Sequence, residues 1–538
     1  MSFEIQRKYS KKVWYEKPYR VLRNPLCMVP IFLFIFIFSL YFTIQTALRE
    51  NLSTGSFIRF HSHENKFKPI RFEGEKIVHL DFKGAPPKVK YLKEIFPIIA
   101  KFGATALLIE YDDMFPFQDN IEMLKSPLAY TLEEIRLIIE SAENSNLKVI
   151  PLIQTFSHLE YVLKKDEFKD LREAEDYPTD ICPMNPKTSL LLGNITEQIL
   201  KMHPRVSMVH IGGDEVKHLG NCLRCKKEVN QKSSIYVHHI KNVAKMIINN
   251  HPDVAILIWD DFIRKIDTQE LIQFNLPPYI QPVIWNYDKK MRNEITEDII
   301  LKYRDVFGSI WFAGSFKGSI TRNSYITKSD HHISNIQSWL TIYRLYKNKI
   351  AINGIFLTGW QRFDHFSILC DLLPISIPSL GLTLTLLNGI TTSYYNLPKE
   401  VNEILKCEEP HSVAYFGNGL AYCSYPGGKL LDTILQFHKY KYNYEVFMNN
   451  HAIVAWLNNY NIKRGMYNRK QLQKISNQIN NYRRKLDTLT MDIKKEMKFI
   501  YRTEIVDEWY ESYVEPIYIE IAKLINQVET LMNKTIWH

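Results

Sequence analysis

No internal repeat and no low-complexity tract interrupts the chain, and no glycine-rich turn follows an early apolar run. The first two absences exclude solenoids and compositionally biased disordered proteins. The third argues against an open nucleotide-binding sheet, whose first strand normally feeds such a turn. Cysteine is scarce as well, seven residues in 538. The lone CxxC, Cys222 to Cys225, has only His218 nearby, whereas a structural zinc site usually needs a second Cys or His pair. Disulfides or inert thiols are therefore expected, with Cys407 and Cys423 sixteen residues apart as one pair to consider. Neither a metal nor another cofactor is expected.

A basic groove is missing too, although the formal net charge is +10. Residues 1–24 hold Arg7, Lys8, Lys11, Lys12, Lys17, Arg20 and Arg23 against Glu4 and Glu16, a net +5 in the tail alone. Half of the excess thus sits in a short segment, and no nucleic-acid partner is expected. From Leu26 to Leu48 the chain carries no charged residue, and about 20 apolar residues suffice to cross a bilayer as a helix. The basic flank precedes this span, so the positive-inside rule keeps the N-terminus in the cytosol and sends the rest across. A cleaved signal peptide would have a shorter apolar region ending in small residues. The expected product is a type II single-pass protein of the secretory pathway, placed in the Golgi, with a lumenal body. Sequons at Asn51, Asn194 and Asn533 and six cysteines beyond the span suit that compartment.

The remainder reads as a (β/α)8 barrel. Apolar runs appear at 77–82, 105–111, 148–154, 206–212, 254–259, 281–285, 308–312 and 353–358. Most are continuous rather than alternating, as strands buried on both faces are. Segments of helical spacing separate them, such as 90–102, 132–143 and 234–250. Eight strand–helix alternations in about 320 residues predict the closed barrel. The expected organisation is a cytosolic tail (1–25), a signal-anchor (26–48), a stem (49–74), the barrel (75–395) and a mostly helical C-terminal region (396–538). That last region is either a packed appendage or a dimerisation element, so a homodimer is possible.

Active sites of such barrels lie at the C-terminal ends of the strands. Here those ends gather Asp81, Asp112, Asp113, His158, Asp214, Glu215, Tyr287 and Asp364, with Trp259, Trp285, Trp311 and Trp360. One Asp after a strand is more often a helix cap, and one Trp is more often core. Four tryptophans ending four successive strands point instead to an aromatic wall, and such walls with interspersed carboxylates suit a sugar.

The fourth end, His210-Ile-Gly-Gly-Asp214-Glu215, is the sharpest. Its glycines allow an abrupt turn and a close ligand approach. Neighbouring residues on a regular strand face opposite sides, so both acids serve one pocket only where the strand ends. Ordinary two-carboxylate glycosidases take their acids from separate segments, roughly 5–9.5 Å apart. Adjacent acids imply the exception in which the substrate's 2-acetamido oxygen attacks C1. Asp214 would orient the acetamido group, and Glu215 would protonate the leaving oxygen and then activate water.

These motifs resemble glycoside hydrolase family 20, most closely its hexosaminidase D branch. The resemblance rests on HLDFKGAPPK (79–88), LLIEYDDMFPF (107–117), PLIQTFSHLEYVLK (151–164), HIGGDEVKHLG (210–220) and TGWQRFDHFSILCDLLP (358–374). It implies a β-N-acetylhexosaminidase acting on glycans with a terminal N-acetylhexosamine. By resemblance Asp214 and Glu215 take the roles above, and His158 with an acid of the Asp112–Asp113 pair forms a relay behind the general acid. Trp360, Trp259 and Trp285 form the pocket wall, and Tyr287, or an aromatic of Trp311-Phe312, donates to the acetamido oxygen. Asp364 holds the outer hydroxyls, and Asp81 and Asp113 are further binding candidates. Lysosomal-type members grip sugar hydroxyls with an Arg after the first strand; here Lys83-Gly84 stands instead. Two other functional classes fit the sequence less well. A carbohydrate-binding pseudoenzyme would keep the tryptophans and lose the acids, and a type II membrane glycosyltransferase would want an open sheet.

Overall fold

The computed structural model describes residues 70–291, 294–390, 399–407 and 423–533. The apolar segment 26–48, the tail before it, the stem up to residue 69 and the sequon at Asn51 lie outside the described residues. Among the described residues, no helix is long and apolar enough to cross a membrane.

The described strands are β1 (Glu75–Asp81), β2 (Ala106–Glu110), β3 (Lys148–Leu152), β4 (Arg172–Ala174), β5 (Tyr177–Ile181), β6 (Met208–His210), β7 (Ala255–Trp259), β8 (Gln281–Trp285), β9 (Ser309–Lys317) and β10 (Ala351–Gly359). Eight of them close a barrel in the order β1-β10-β9-β8-β7-β6-β3-β2, every pairing parallel. Each falls on one of the eight apolar runs. The pair β4–β5 is an antiparallel hairpin outside the barrel.

Continuous apolar runs are what a two-sided burial requires, and alternate residues fall into two cores. Ile77, Leu108, Ile150, Leu257, Val283 and Phe356 form one, inside the barrel. Val78, Leu107, Ile109, Val209, Ile256 and Ile284 belong to the other, shared with the surrounding helices. Local signals set the helix starts. Thr131 accepts from the Glu134 N–H while the Glu134 carboxylate accepts from the Thr131 N–H, a reciprocal cap of a kind that contributes about 1 kcal/mol. Asn185 caps the helix Pro186–Lys201 from one side only, its side-chain oxygen accepting from the Lys187 N–H at 3.1 Å.

That helix corrects one sequence expectation. Asn194 lies in its middle, and Thr196 is buried with its hydroxyl donating to the Leu192 carbonyl at 2.8 Å. A sequon accepts a glycan on a surface loop, so Asn194 gives no support to a lumenal location.

The C-terminal region packs onto the barrel within one compact unit, Pro69–His538. Its longest helix, Arg469–Ile500, is followed by Thr503–Tyr513 and Glu515–Met532. The Lys88 N–H donates to the Ile500 carbonyl at 2.7 Å, and Arg502 lies 3.5 Å from Glu134. The barrel helix Leu373–Leu387 is buried at all fifteen positions, because the helix Gly428–Met448 covers the side turned away from β9. Cys407 and Cys423 form a disulfide.

Candidate active site

The strand β6 ends at His210, where Ile211 turns to bond the Leu257 carbonyl. The backbone then passes through left-handed conformations, with φ of 67° at Gly212, 88° at Gly213 and 49° at Glu215. A Cβ on Gly212 would come within 2.0 Å of Gln154 Oε1, and one on Gly213 within 3.0 Å of the Ile258 side chain. The glycines therefore make room for the protein's own second layer rather than for a ligand. Left-handed φ at a non-glycine residue costs on the order of 1–3 kcal/mol and collects at functional sites. Asp112, His158 and Glu215 are three of the seven non-glycine residues that show it among the described residues.

The turn brings both acids to one cavity of about 290 Å³, which they line with His158, Trp285, Tyr287 and Trp360. That is the small end of ligand cavities, which run roughly 300–1,000 Å³. His158 Nε2 lies 3.4 Å from Asp214 Oδ2 and 3.7 Å from Glu215 Oε2. Burial alone would lower the His158 pKa, but the charge and hydrogen bond of Asp214 win and raise it to about 10. The residue is an imidazolium at neutral pH, clamped on Asp214. The second oxygen of Asp214, Oδ1, is buried without a hydrogen-bond partner and is free to accept an N–H. Glu215 keeps its carboxylate partly exposed, 3.2 Å from Lys217 Nζ.

Tyr287 accepts from Trp360 Nε1 at 3.1 Å, and burial holds its phenol well above the ordinary value. It stays protonated and keeps an O–H to donate. Its rivals do not reach the site. Phe312 packs in the outer core. Trp311 fills the barrel interior, where Gly354 makes room for its ring, and its Nε1 donates to Gln281 Oε1 at 2.8 Å. The strand β9 continues six residues past Trp311, so the cavity meets Gly318 to Arg322 instead. Trp259 also sits one layer down, its ring 4.2 Å from His210 and 6.3 Å from Trp360.

The expected relay is rearranged. Asp112 Oδ2 lies 3.1 Å from His365 Nε2, and Asp113 lies 3.8 Å from Nδ1 of the same ring. Both acids thus engage His365, not His158. Beyond Asp214 and Glu215, the carboxylate whose charge acts on His158 is Glu160. Asp81 ties two strand ends together, accepting from the Lys83 and Gln361 N–H groups at 2.9 and 2.8 Å. Asp364 accepts from Phe366 N–H and Ser367 Oγ within its own loop.

Several site residues escaped the sequence reading. Asp261 accepts from the Glu215 N–H at 3.0 Å and from Trp285 Nε1 at 3.2 Å, so it holds both the acid's backbone and the aromatic wall. Burial, then the neighbouring Asp214 and Asp260, raises its pKa to about 6. Lys83 lines the cavity 5.6 Å from the Trp360 ring centroid. Burial opposes its charge, but Asp81 and Glu110, at 3.7 and 3.6 Å, hold its pKa well above the lysine value. A fixed cation thus stands at the end of β1. Arg362 also lines the cavity and is paired with Glu508 of the C-terminal region at 2.9 Å. A doublet of acid-rim residues such as WDD after β7 was the available signal for Asp261; Glu508 had none.

This geometry can hold one sugar ring against tryptophan, with a carboxylate for an N–H and a neighbouring acid for a glycosidic oxygen. Comparison with known proteins agrees. The model of "Glycosyl hydrolase family 20, catalytic domain" matches residues 59–304. The chain is 32% identical over 462 residues to "Hexosaminidase D" of Homo sapiens, covering 84% of this chain and 94% of that protein. It is 38% identical over 320 residues to "Hexosaminidase D" of Bos taurus, covering 58% and 92%. Among solved structures it is similar to the beta-N-acetylhexosaminidase from Bacteroides fragilis, at 14% identity and TM-score 0.45, covering 62% of this chain and 69% of that one. With a relative of that identity spanned almost end to end, and with the acid pair at the end of β6, the chain belongs to glycosyl hydrolase family 20.

Proposed function

We propose that the protein is an exo-acting β-N-acetylhexosaminidase that removes terminal β-linked GlcNAc or GalNAc by substrate-assisted hydrolysis. The observation that carries this reading is the placement of Asp214 and Glu215 on one turn, both facing His158. The small cavity suits a single terminal sugar, and family membership and the relatives' names support the activity. Asp214 Oδ1 receives the acetamido N–H, Tyr287 donates to the acetamido oxygen, and that oxygen attacks C1 as Glu215 protonates the leaving group. Glu215 then takes a proton from the water that opens the cyclic intermediate, and the product keeps the β configuration. Neither a binding-only protein nor a glycosyltransferase is favoured, because the full acid machinery is present on a closed barrel.

The test uses paired aryl β-glycosides of GlcNAc, GalNAc and glucose. Only the two acetamido sugars should turn over, and a thiazoline mimic of the cyclic intermediate should inhibit tightly, as transition-state-like species do. Rapid hydrolysis of the glucoside would overturn the proposal.

His158→Ala should lower turnover by about 10²-fold, in the range of acid–base support. The sign of its pKa shift fixes the pH behaviour. A raised pKa means the imidazolium–Asp214 pair is complete below the ordinary histidine value and is lost only as pH rises through about 10. The ratio of wild-type to variant turnover should therefore be flat from pH 4 to 7. A ratio that decays toward unity near pH 6.5 would contradict it.

We also propose that residues 26–48 anchor the protein in type II orientation, with the catalytic body in the lumen of the secretory pathway, in the Golgi. The basic flank supports this reading, as does the Cys407–Cys423 disulfide, a bond typical of oxidising compartments. Protease added to sealed vesicles should trim only the N-terminal tail; digestion of the barrel from outside would refute the topology.

A further inference from the structure

The CxxC motif has partners that its sequence neighbourhood does not show. Cys182, at the end of β5, lies with its Sγ 3.3 Å from that of Cys222 and 3.7 Å from that of Cys225. Glu173, on β4, completes a group of four donor atoms all within 4.8 Å of one another. Cys182 and Cys225 are buried, Cys222 is half-buried, and Glu173 is fully inaccessible. His218, the nearest candidate in sequence, stacks on Tyr177 and is not in the group.

We infer that Glu173, Cys182, Cys222 and Cys225 form a structural zinc site. Three sulfurs and one carboxylate oxygen are a closed four-coordinate donor set for this ion. Zinc–sulfur bonds of about 2.3 Å on a tetrahedral metal put two sulfurs about 3.8 Å apart, close to the spacing found. Glu173 supplies the independent sign of a missing partner. Its Oε1 accepts from the Gly220 and Asn221 N–H groups at 2.6 and 3.0 Å, while its Oε2 is buried with no hydrogen-bond partner. The Cys225 N–H donates to Cys222 Sγ at 3.3 Å. A disulfide would consume two of the three thiols and leave both the third and the glutamate oxygen unanswered. Binding would release the protons of the three thiols and leave a net negative centre beside Arg224, Lys226 and Lys227 in sequence.

The site would staple the hairpin β4–β5 to the segment 211–231, which begins with the catalytic turn. The same two pieces already meet through Asp180, which accepts from the Ser157 hydroxyl at 2.8 Å and the His218 N–H at 2.7 Å. The metal is thus a brace for the turn that carries Glu215 and takes no part in the reaction.

The full-length chain, purified without chelators, should contain about one zinc per molecule by mass spectrometry. Cys182, Cys222 and Cys225 should resist alkylation together and become reactive together when a chelator strips the metal. Cys222→Ser should lower the zinc content, and added zinc should restore thiol protection in stripped wild-type protein. Three thiols that alkylate freely in the presence of saturating zinc, or a mapped disulfide joining two of them, would overturn the inference.

Discussion

Replacing Glu215 by Gln should depress hydrolysis of glycosides with poor leaving groups by about 10²–10⁴-fold, the usual worth of general-acid catalysis. Activated aryl glycosides should lose far less in the step that breaks the glycosidic bond. The reason lies in what Glu215 gives the reaction. A reluctant alkoxide needs its proton as it departs, whereas a nitrophenolate leaves unaided. The glutamine keeps the shape of the side chain and the N–H bond to Asp261, so the left-handed turn at residue 215 should survive. Single-turnover rates on both substrate types decide the matter. Equal losses on both would assign Glu215 to structure rather than to proton transfer.

Asp214→Asn should cost both substrate types alike, by about 10²–10³-fold, the range for removing one group that stabilises developing charge. The acetamido group must be turned toward C1 whatever the leaving group is, and a neutral amide neither holds the developing positive charge nor accepts the N–H as strongly. A second readout follows from the contact with His158. Asp214 is what raises that imidazole's pKa against burial, so in the variant the His158 titration should fall from about 10 toward or below the ordinary histidine value. Wild-type enzyme treated with a fluorosugar should form no ester at Asp214, since the substrate itself supplies the nucleophile. A trapped Asp214 adduct would convert the reading to an ordinary two-carboxylate mechanism.

The barrel was legible because strands buried on both faces are written as continuous apolar runs, and each of the eight runs became a strand. The acid pair was legible because two glycines before two acids mark a strand end. What was lost depended on register and distance. β9 runs to Lys317, yet the small and polar residues from Ala313 to Ser315 ended the apolar run, and Trp311 was consequently placed at the rim rather than inside. The resemblance pairs His158 with an acid of Asp112–Asp113, whereas the histidine that Asp112 meets, His365, lies 253 positions away. The hairpin β4–β5 is too polar to announce itself, and with it the third cysteine of the Cys222 group went unrecognised. Local chemistry can be read along the chain; which histidine meets which acid is decided only when the sheet closes.

The bond between Arg362 and Glu508, together with the full burial of the helix Leu373–Leu387, changes what counts as a replaceable part of this molecule. A barrel is commonly treated as an interchangeable cassette, with later segments as decoration. Here the wall of the substrate cavity is tethered to a helix that begins at Thr503, so substitutions on that helix should be felt as altered sugar affinity. The inheritance of specificity in this protein therefore extends well past its last strand, and any graft or minimised version has to carry the C-terminal helices with it.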